Sequence, residues 1–496
     1  YNLDVLAHDY LGIGKDELLL EQATDNYQLA NQRRGKKGNK AFHKKRDLWR
    51  LPARYVGPYA EADAERTVKI YNKQEPLLHE ENLWEVWELE CRITPICHYM
   101  TMTGVAVDLK RANEINDKLK IKQKQLEKEC KGINVWAVDD CVRLLQSYGI
   151  ETPKTSKGNP SCPKSFLEDL KHPIGSKLIE LRQLDRLRGP FLERNILQNN
   201  INGRIHAQFL QTNREEGGTR SGRFSSQLPN MQQVPKRSAI GKLLRSLYLA
   251  EEDHLWCKCD YSSQEPRLQV HYALLMDIQG ATRAKEFIEA GKKLYDLITE
   301  ATDCSYAQAK DLLLGLSYGM GLRRLADSLG YTIPDAQREI LDPLRERCPF
   351  IFELAEIAKK RADTHGVIKT ILGRKARFDW WAPDLPAKMW DQREDYPAVK
   401  GFDKAQELYK GWKLQRAFLN KALNCLIQGS AADQTKKAMV LMWDAGLKMN
   451  LPVHDEINRS NCRNEAEARL QVEIMEQAIQ LKIKTVADLD LGQTWC

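Results

Sequence analysis

The stretch CDYSSQEPRL, residues 259–268, closes an alternating apolar run with a carboxylate, Asp260, and sets a second one, Glu265, behind a Ser-Ser-Gln turn. The run before it, LWCKCDY (255–261), has the period of two that a half-buried strand requires. After it, QEPRLQVHYALLM has helical spacing, with Pro266 acceptable only near a first turn. A strand that stops, turns and becomes a helix presents Asp260 at the rim of a sheet. LPVHDEINRS (451–460) makes a second such placement, with Asp455 and Glu456 between two short strand-like runs that can pair as a hairpin. Two acidic rims can then converge, although acids at strand ends on an ordinary solvated surface would have the same spacing.

A third segment adds a cation. In YAQAKDLLLGLSYGMG (306–321), Lys310, Leu314 and Tyr318 recur every four residues and so share one helical face. Gly315 costs about 1 kcal/mol inside such a helix relative to Ala, which points to close approach by something flat or bulky. An amphipathic helix with a snorkelling lysine is the plainer alternative.

The whole chain sets bounds on these readings. With 496 residues and 42% hydrophobic content it can fill the cores of two to four domains. Mean hydropathy is −0.56, no run of about 18 apolar residues occurs and no charged-then-apolar leader opens the chain, so a soluble, cytoplasmic protein is expected. It begins at Tyr1 inside an amphipathic segment, which suggests a piece of a longer polypeptide. Twelve cysteines occur without CxxC spacing, and Cys257 and Cys259 fall on one strand face as reduced, buried thiols do. The net charge of +8 comes from residues 33–46, RRGKKGNKAFHKKR, whose eight Lys/Arg leave 68 bases against 68 acids elsewhere. That run either touches phosphates or is a solvated loop. Residues 112–132 are helical in pattern, 153–163 and 212–235 are loop-rich, and no fixed-period repeat is present, so the chain mixes helix and strand.

Taken together, these segments resemble family A DNA polymerases, the class of bacterial DNA polymerase I and many phage replicases. CDYSSQEPRL is similar to motif A, KDLLLGLSYGMG to motif B and VHDE (453–456) to motif C, in the family's order. GGTRSGRFSSQLPNMQQVP (217–235), LGRKARF (372–378) and NCLIQGSAADQTK (424–436) extend the likeness, which runs from about residue 59 to Trp495. The resemblance implies an α+β, multi-domain, mainly helical chain with right-hand architecture. Its parts would be an exonuclease remnant (1–75), a connecting helix and thumb (76–200), a palm built on an antiparallel sheet (201–275 and 416–496) and helical fingers (276–415).

By the same resemblance, Asp260 and Asp455, with the Tyr261 carbonyl, would hold two Mg²⁺, and Glu456 would support them. Lys310 would neutralise the triphosphate, Tyr318 would stack near the templating position, Leu314 would lie against the sugar and Glu265 would close its 2′ side. Arg223, Asn230, Gln232, Asn424 and Gln428 would touch the minor groove. Arg267 and His454 would support the primer end. Lys154 and Lys157, around TSKGNPS (155–161), would grip duplex phosphates, and Arg374 would be a further DNA contact. Primer–template DNA and dNTPs are the implied partners of a monomer that uses no membrane and works in the host cytoplasm if viral; a processivity factor is left open. YAEAD (59–63) resembles the third proofreading motif, without an earlier Asp-x-Glu, so Tyr59 and Asp63 would be remnants and 3′–5′ exonuclease activity is not expected.

Two residues depart from the pattern. Tyr306 stands where the family usually has an arginine for the triphosphate, and Leu314 replaces the commoner Phe or Tyr. Leu314 and Pro266 both lean toward phage replicases. The competing readings are a single-subunit RNA polymerase, against which Glu265 argues, and a catalytically weakened DNA-binding relative, which Tyr306 keeps open.

Overall fold

The computed structural model describes residues 3–14, 19–20, 22–23, 48–155, 158–212, 219, 221–236, 238–386, 389 and 393–496. The basic run 33–46 and Lys157 lie outside the described residues. Two compact units divide the chain after Glu88, beyond the expected limit near residue 75, because the helix Ala53–Glu80 runs through that point. The first unit has a small core of Leu20, Ala23 and Leu51, against which Tyr55, Val56 and Tyr59 pack. Asp63 lies 3.6 Å from Arg66 one helical turn on, so the Tyr-x-x-x-Asp pair belongs to this unit's helix and core.

In the second unit, the helices Leu109–Glu129, Val138–Gln146 and Pro173–Arg186 form the block expected as the thumb. Asp108 starts the first by accepting the Arg111 N–H at 2.9 Å. Leu126, Leu144, Leu145, Leu178, Leu181 and Leu184 make a core of their own. Beside it stands a four-stranded antiparallel sheet formed by β1 (Leu255–Tyr261), β2 (Leu451–Val453), β3 (Glu456–Cys462) and β4 (Ala487–Gly492), in the order β2-β3-β1-β4. The alternation of β1 buries Cys257, Cys259 and Tyr261 and turns Lys258 and Asp260 the other way. Five helices position the rest: α1 (Gln264–Leu275), α2 (Tyr306–Ser317), α3 (Pro349–His365), α4 (Ala422–Asp444) and α5 (Glu465–Gln477). Helices α1 to α3 share a second large core with the start of α4, while the rest of α4 and α5 cover the sheet. Among the described residues, no helix is long and apolar enough to cross a membrane.

Helix α4 also fixes the hairpin 367–377. A Cβ on Gly429 would lie 2.4 Å from Thr370 Cγ2, so only glycine permits this approach. Ser430 Oγ accepts the Ile371 N–H at 3.1 Å, and the fully buried Asp433 accepts from Arg374 Nε at 2.8 Å. Arg374 donates its other end to Glu90 at 2.6 Å, as does the buried Lys436. Two acids and two bases thus close a neutral quartet in which each charge depends on the others.

Two predictions follow from this packing. Arg374→Met strands Asp433 and should cost about 3–5 kcal/mol, seen as an earlier urea transition, with Arg374→Lys recovering only part because lysine lacks the planar fork. His271 on α1 is buried, its Nδ1 accepting the Lys482 N–H at 2.9 Å, and burial followed by the Lys482 charge lowers its pKa. Protonation therefore favours the unfolded chain, so stability should be held above about pH 6.5 and fall as the pH drops below it. Thermal unfolding of the parent and His271→Gln between pH 7.5 and 5.5 checks this, the variant being expected to lose part of the pH dependence.

Candidate active site

The acids converge because the strands pair in one register. Glu456 on β3 stands opposite Asp260 on β1, and Asp488 on β4 stands opposite Asp260 from the other side. Residues paired in this way point to the same face. Asp455 lies in the two-residue turn between Val453 and Glu456, and its carbonyl accepts the Tyr261 N–H at 3.2 Å. His454, the other turn residue, is exposed and has left-handed backbone, φ 58°.

The two neighbouring acids of this hairpin are treated differently. Glu456 is buried, and its Oε1 accepts from Trp495 Nε1 at 3.0 Å and Asn458 Nδ2 at 2.9 Å, with Arg245 Nη1 at 3.5 Å. Burial opposes its charge, but the Trp495 indole, Arg245 and Asn458 together hold its carboxyl below the ordinary glutamate value. Asp455 is pushed up to about 7, first by burial and then by the charge of Asp260. Two further residues belong to this centre that the sequence patterns did not mark. Lys236 Nζ donates to Asp260 Oδ2 at 2.7 Å and to Glu456 Oε2 at 3.1 Å. Arg245 lies over the Trp495 ring at 4.0 Å.

A second group of candidates meets beside it. Glu265, in the first turn of α1, is paired with Arg223. Gln428 on α4 donates to the Tyr318 hydroxyl, whose pKa is raised first by burial and then by Glu265. Three of the polymerase-like segments and α4 are thereby joined through Arg223, Glu265, Tyr318 and Gln428. Tyr306, Lys310 and Leu314 on α2, with Tyr318 capping its end, line the partly exposed face while Ala309, Leu312 and Leu313 are buried. Tyr306 packs edge-on against Tyr295 at 5.7 Å, and Lys310 Nζ lies 5.9 Å from the centre of the same ring. The close neighbour of Gly315 is the chain's own Met320, whose Cε would be 2.0 Å from an added Cβ, so the glycine is accounted for by packing within the protein.

The remaining candidates are distributed. Asn230 accepts the Gln232 N–H, and Gln232 Nε2 donates to the Pro452 carbonyl at 3.1 Å, which ties this loop to β2. Arg267 spends its guanidinium on the carbonyls of Ser262 (2.8 Å) and Lys484 (2.6 Å), and Arg374 on the quartet, so both act inside the protein. Lys154 is exposed in a loop closed by the Ser161 N–H on the Pro153 carbonyl, apart from the acids in sequence and fold. Asn424 and Gln428 line a cavity of about 670 Å³ together with Lys375, Arg377, Lys421, Phe378, Trp380 and Phe418. Cations interleaved with aromatic rings suit a nucleic-acid backbone and its bases.

Asp260 and Asp455 also meet the requirements of a hard divalent cation in part. Among the described residues no three His, Cys, Asp or Glu side chains stand together as a complete ligand set. Mg²⁺ takes one or two carboxylates, with water and substrate phosphates completing its octahedron. The rise in Asp455, caused partly by Asp260, marks a like-charge pair that a cation between them would relieve.

Comparison with known proteins agrees with this geometry. Residues 109–496 match the family model "DNA polymerase family A". A "DNA-directed DNA polymerase" of Pseudomonas phage M6 is 31% identical over 100% of this chain and 76% of its own length. "DNA polymerase DpoZ" of Salmonella phage PMBT28 is 27% identical over 76% of this chain and 66% of its own. "DNA polymerase I, thermostable" of Thermus aquaticus is 27% identical over 89% of this chain, which spans only 52% of that relative. The polymerase domain of Pol1 from M. smegmatis, solved with DNA primer-template and dNTP, superposes with a TM-score of 0.74 at 22% identity, over 100% of this chain and 79% of that one. The right-hand α+β fold is therefore established, and the chain belongs to DNA polymerase family A.

Proposed function

We propose that this chain is a DNA-templated DNA polymerase that extends a primer 3′ end with dNTPs by two-metal-ion nucleotidyl transfer in DNA replication. The convergence of Asp260 and Asp455, at the ends of two paired segments, carries this reading. Two Mg²⁺ held by Asp260, Asp455 and the Tyr261 carbonyl would supply charge neutralisation at the α-phosphate and lower the pKa of the primer hydroxyl. Glu456, fixed by Trp495, Asn458 and Arg245, keeps the Asp455 turn in place.

Lys310, on the open face of α2, neutralises the triphosphate, and pyrophosphate leaves as the primer oxygen bonds to the α-phosphorus. Tyr306 adds one neutral hydroxyl where an arginine would bring a charged fork, so phosphate binding rests more heavily on Lys310. Glu265, steadied by Arg223, walls the 2′ side of the sugar, and Leu314 meets its apolar face. Arg223, Asn230, Gln232, Asn424, Gln428 and His454 line the duplex path. Gln232 keeps one amide hydrogen for a minor-groove acceptor, since the other is on the Pro452 carbonyl. The cation- and aromatic-lined cavity beside Asn424 takes template backbone. Lys154 and Lys157 grip duplex phosphates. Working as a monomer in the host cytoplasm belongs to the same proposal.

Primer extension on a primed template with Mg²⁺ and either dNTPs or NTPs tests the whole reading. Asp260→Asn and Asp455→Asn should each lower extension by more than about a hundredfold while leaving DNA affinity nearly unchanged, because each removes a metal ligand rather than a duplex contact. Near-normal extension by either would remove the assignment. Glu265→Ala should lower discrimination against NTPs about ten- to a hundredfold by opening space beside the sugar. Unchanged sugar selectivity would place the sugar pocket elsewhere.

A further inference from the structure

We propose that Lys236 is a tethered counter-cation of the metal site, holding Asp260 in the metal-free enzyme and yielding it only when a divalent ion displaces the ammonium. The inference rests on the two-metal reading above and adds a residue of this chain that sets how tightly the metals are taken.

The contact is built from several sides. Arg245 donates Nε to the Pro235 carbonyl at 3.2 Å and Nη2 to the Val234 carbonyl at 3.3 Å, clamping the two residues that precede Lys236. A Cβ on Gly241 would lie 2.4 Å from the Pro235 carbonyl oxygen, so the following helix presses against the same point. Gln232, four residues earlier, is anchored on β2 through the Pro452 carbonyl. The backbone that carries Lys236 is therefore fixed, and only its flexible four-carbon stem is free to turn. At its tip, the ammonium reaches Asp260 at 2.7 Å and Glu456 at 3.1 Å.

Which acid depends on Lys236 follows from the other partners. Glu456 already has Trp495, Asn458 and Arg245. For Asp260, Lys236 is the one side-chain hydrogen-bond donor among the described residues. Asp260, Asp455 and Glu456 carry three formal negative charges, and Arg245 and Lys236 carry two positive ones. Whatever the total from the neighbouring Asp488 and Arg223, an arriving cation meets a site more negative by one charge once the lysine has withdrawn. A lysine side chain 48% exposed has solvent into which it can withdraw, whereas Arg245, at 5%, has none. Competition for Asp260, rather than permanent structure, is what this difference allows.

Direct binding of Mn²⁺ to the full chain without DNA or dNTP, measured from the free-ion paramagnetic resonance signal, provides the test. Lys236→Met should bind Mn²⁺ about fivefold more tightly than the parent, the scale of one partly exposed ion pair. Lys236→Arg, which keeps the charge, should stay near the parent or bind more weakly. Asp260→Asn serves as the reference and should lose the site. If Asp260→Asn leaves Mn²⁺ binding intact, the metal reading itself fails. If Asp260→Asn loses the site but Lys236→Met binds no more tightly than the parent, the metal reading stands and the counter-cation proposal is overturned. A second readout needs no affinity measurement: acylation of Lys236, followed by peptide mass, should quicken as Mg²⁺ is added to the parent and respond little to Mg²⁺ in Asp260→Asn, where Glu456 alone holds the ammonium. Labelling unchanged by Mg²⁺ would likewise overturn displacement.

Discussion

Everything at this site depends on the register of β1 against β3. Pairing Ile457 with Cys259 puts apolar side chains into one core, and a slip of one residue would send that whole set to the solvent face. The same register makes Glu456 the direct neighbour of Asp260, although like charges in opposing positions weaken a sheet. Core burial thus enforces an electrostatic cost at the rim. Arg245, Trp495, Asn458 and Lys236 offset it, and each of them comes from outside the pair of strands or from farther along β3. The acids are not placed by mutual affinity; they are held together by what lies beneath them.

Much of this was legible in the sequence, because strand alternation and helical spacing are local signals. The period of two in 255–261, the helix after Ser263 and the hairpin around Asp455 all appear where the patterns place them. So does the open face of α2 with Lys310, Leu314 and Tyr318. What the sequence hid were the partners of charged groups. Lys236 meets Asp260 across 24 positions, and Arg374 meets Glu90 across 284. Nothing in the residues beside Arg374 or Arg267 marks either as internal; only the fold shows their donors consumed by acids and carbonyls of the protein itself. Gly315 carried a real signal of close approach, but periodicity could not say that the approaching group is Met320, five residues on.

The group formed by Arg223, Glu265, Tyr318 and Gln428 shows a related economy. Each has a polar end that would be costly to desolvate alone, and each satisfies another. A surface whose donors and acceptors already hold one another is pre-organised, since fewer side-chain rotamers remain to be ordered when a ligand arrives. The link also couples distant elements: Arg223 belongs to the loop before β1, Glu265 to α1, Tyr318 to the end of α2 and Gln428 to α4.

Asp455 and Glu456 are adjacent in sequence yet opposite in energetic state, and the turn explains why. Glu456 lies on the strand, where the pleat points its side chain into a nest of donors. Asp455 lies in the turn, with burial and Asp260 both acting against its charge. Its neighbour His454 adds backbone strain, since a non-glycine residue at φ 58° sits in a sparsely populated region. Desolvation, like-charge repulsion and strain are thus gathered into two residues while the strands on either side remain well paired. Such a turn persists only because the surrounding sheet over-determines it; positive charge beside Asp455 would relieve its repulsion by Asp260 but leave the backbone strain at His454 unchanged.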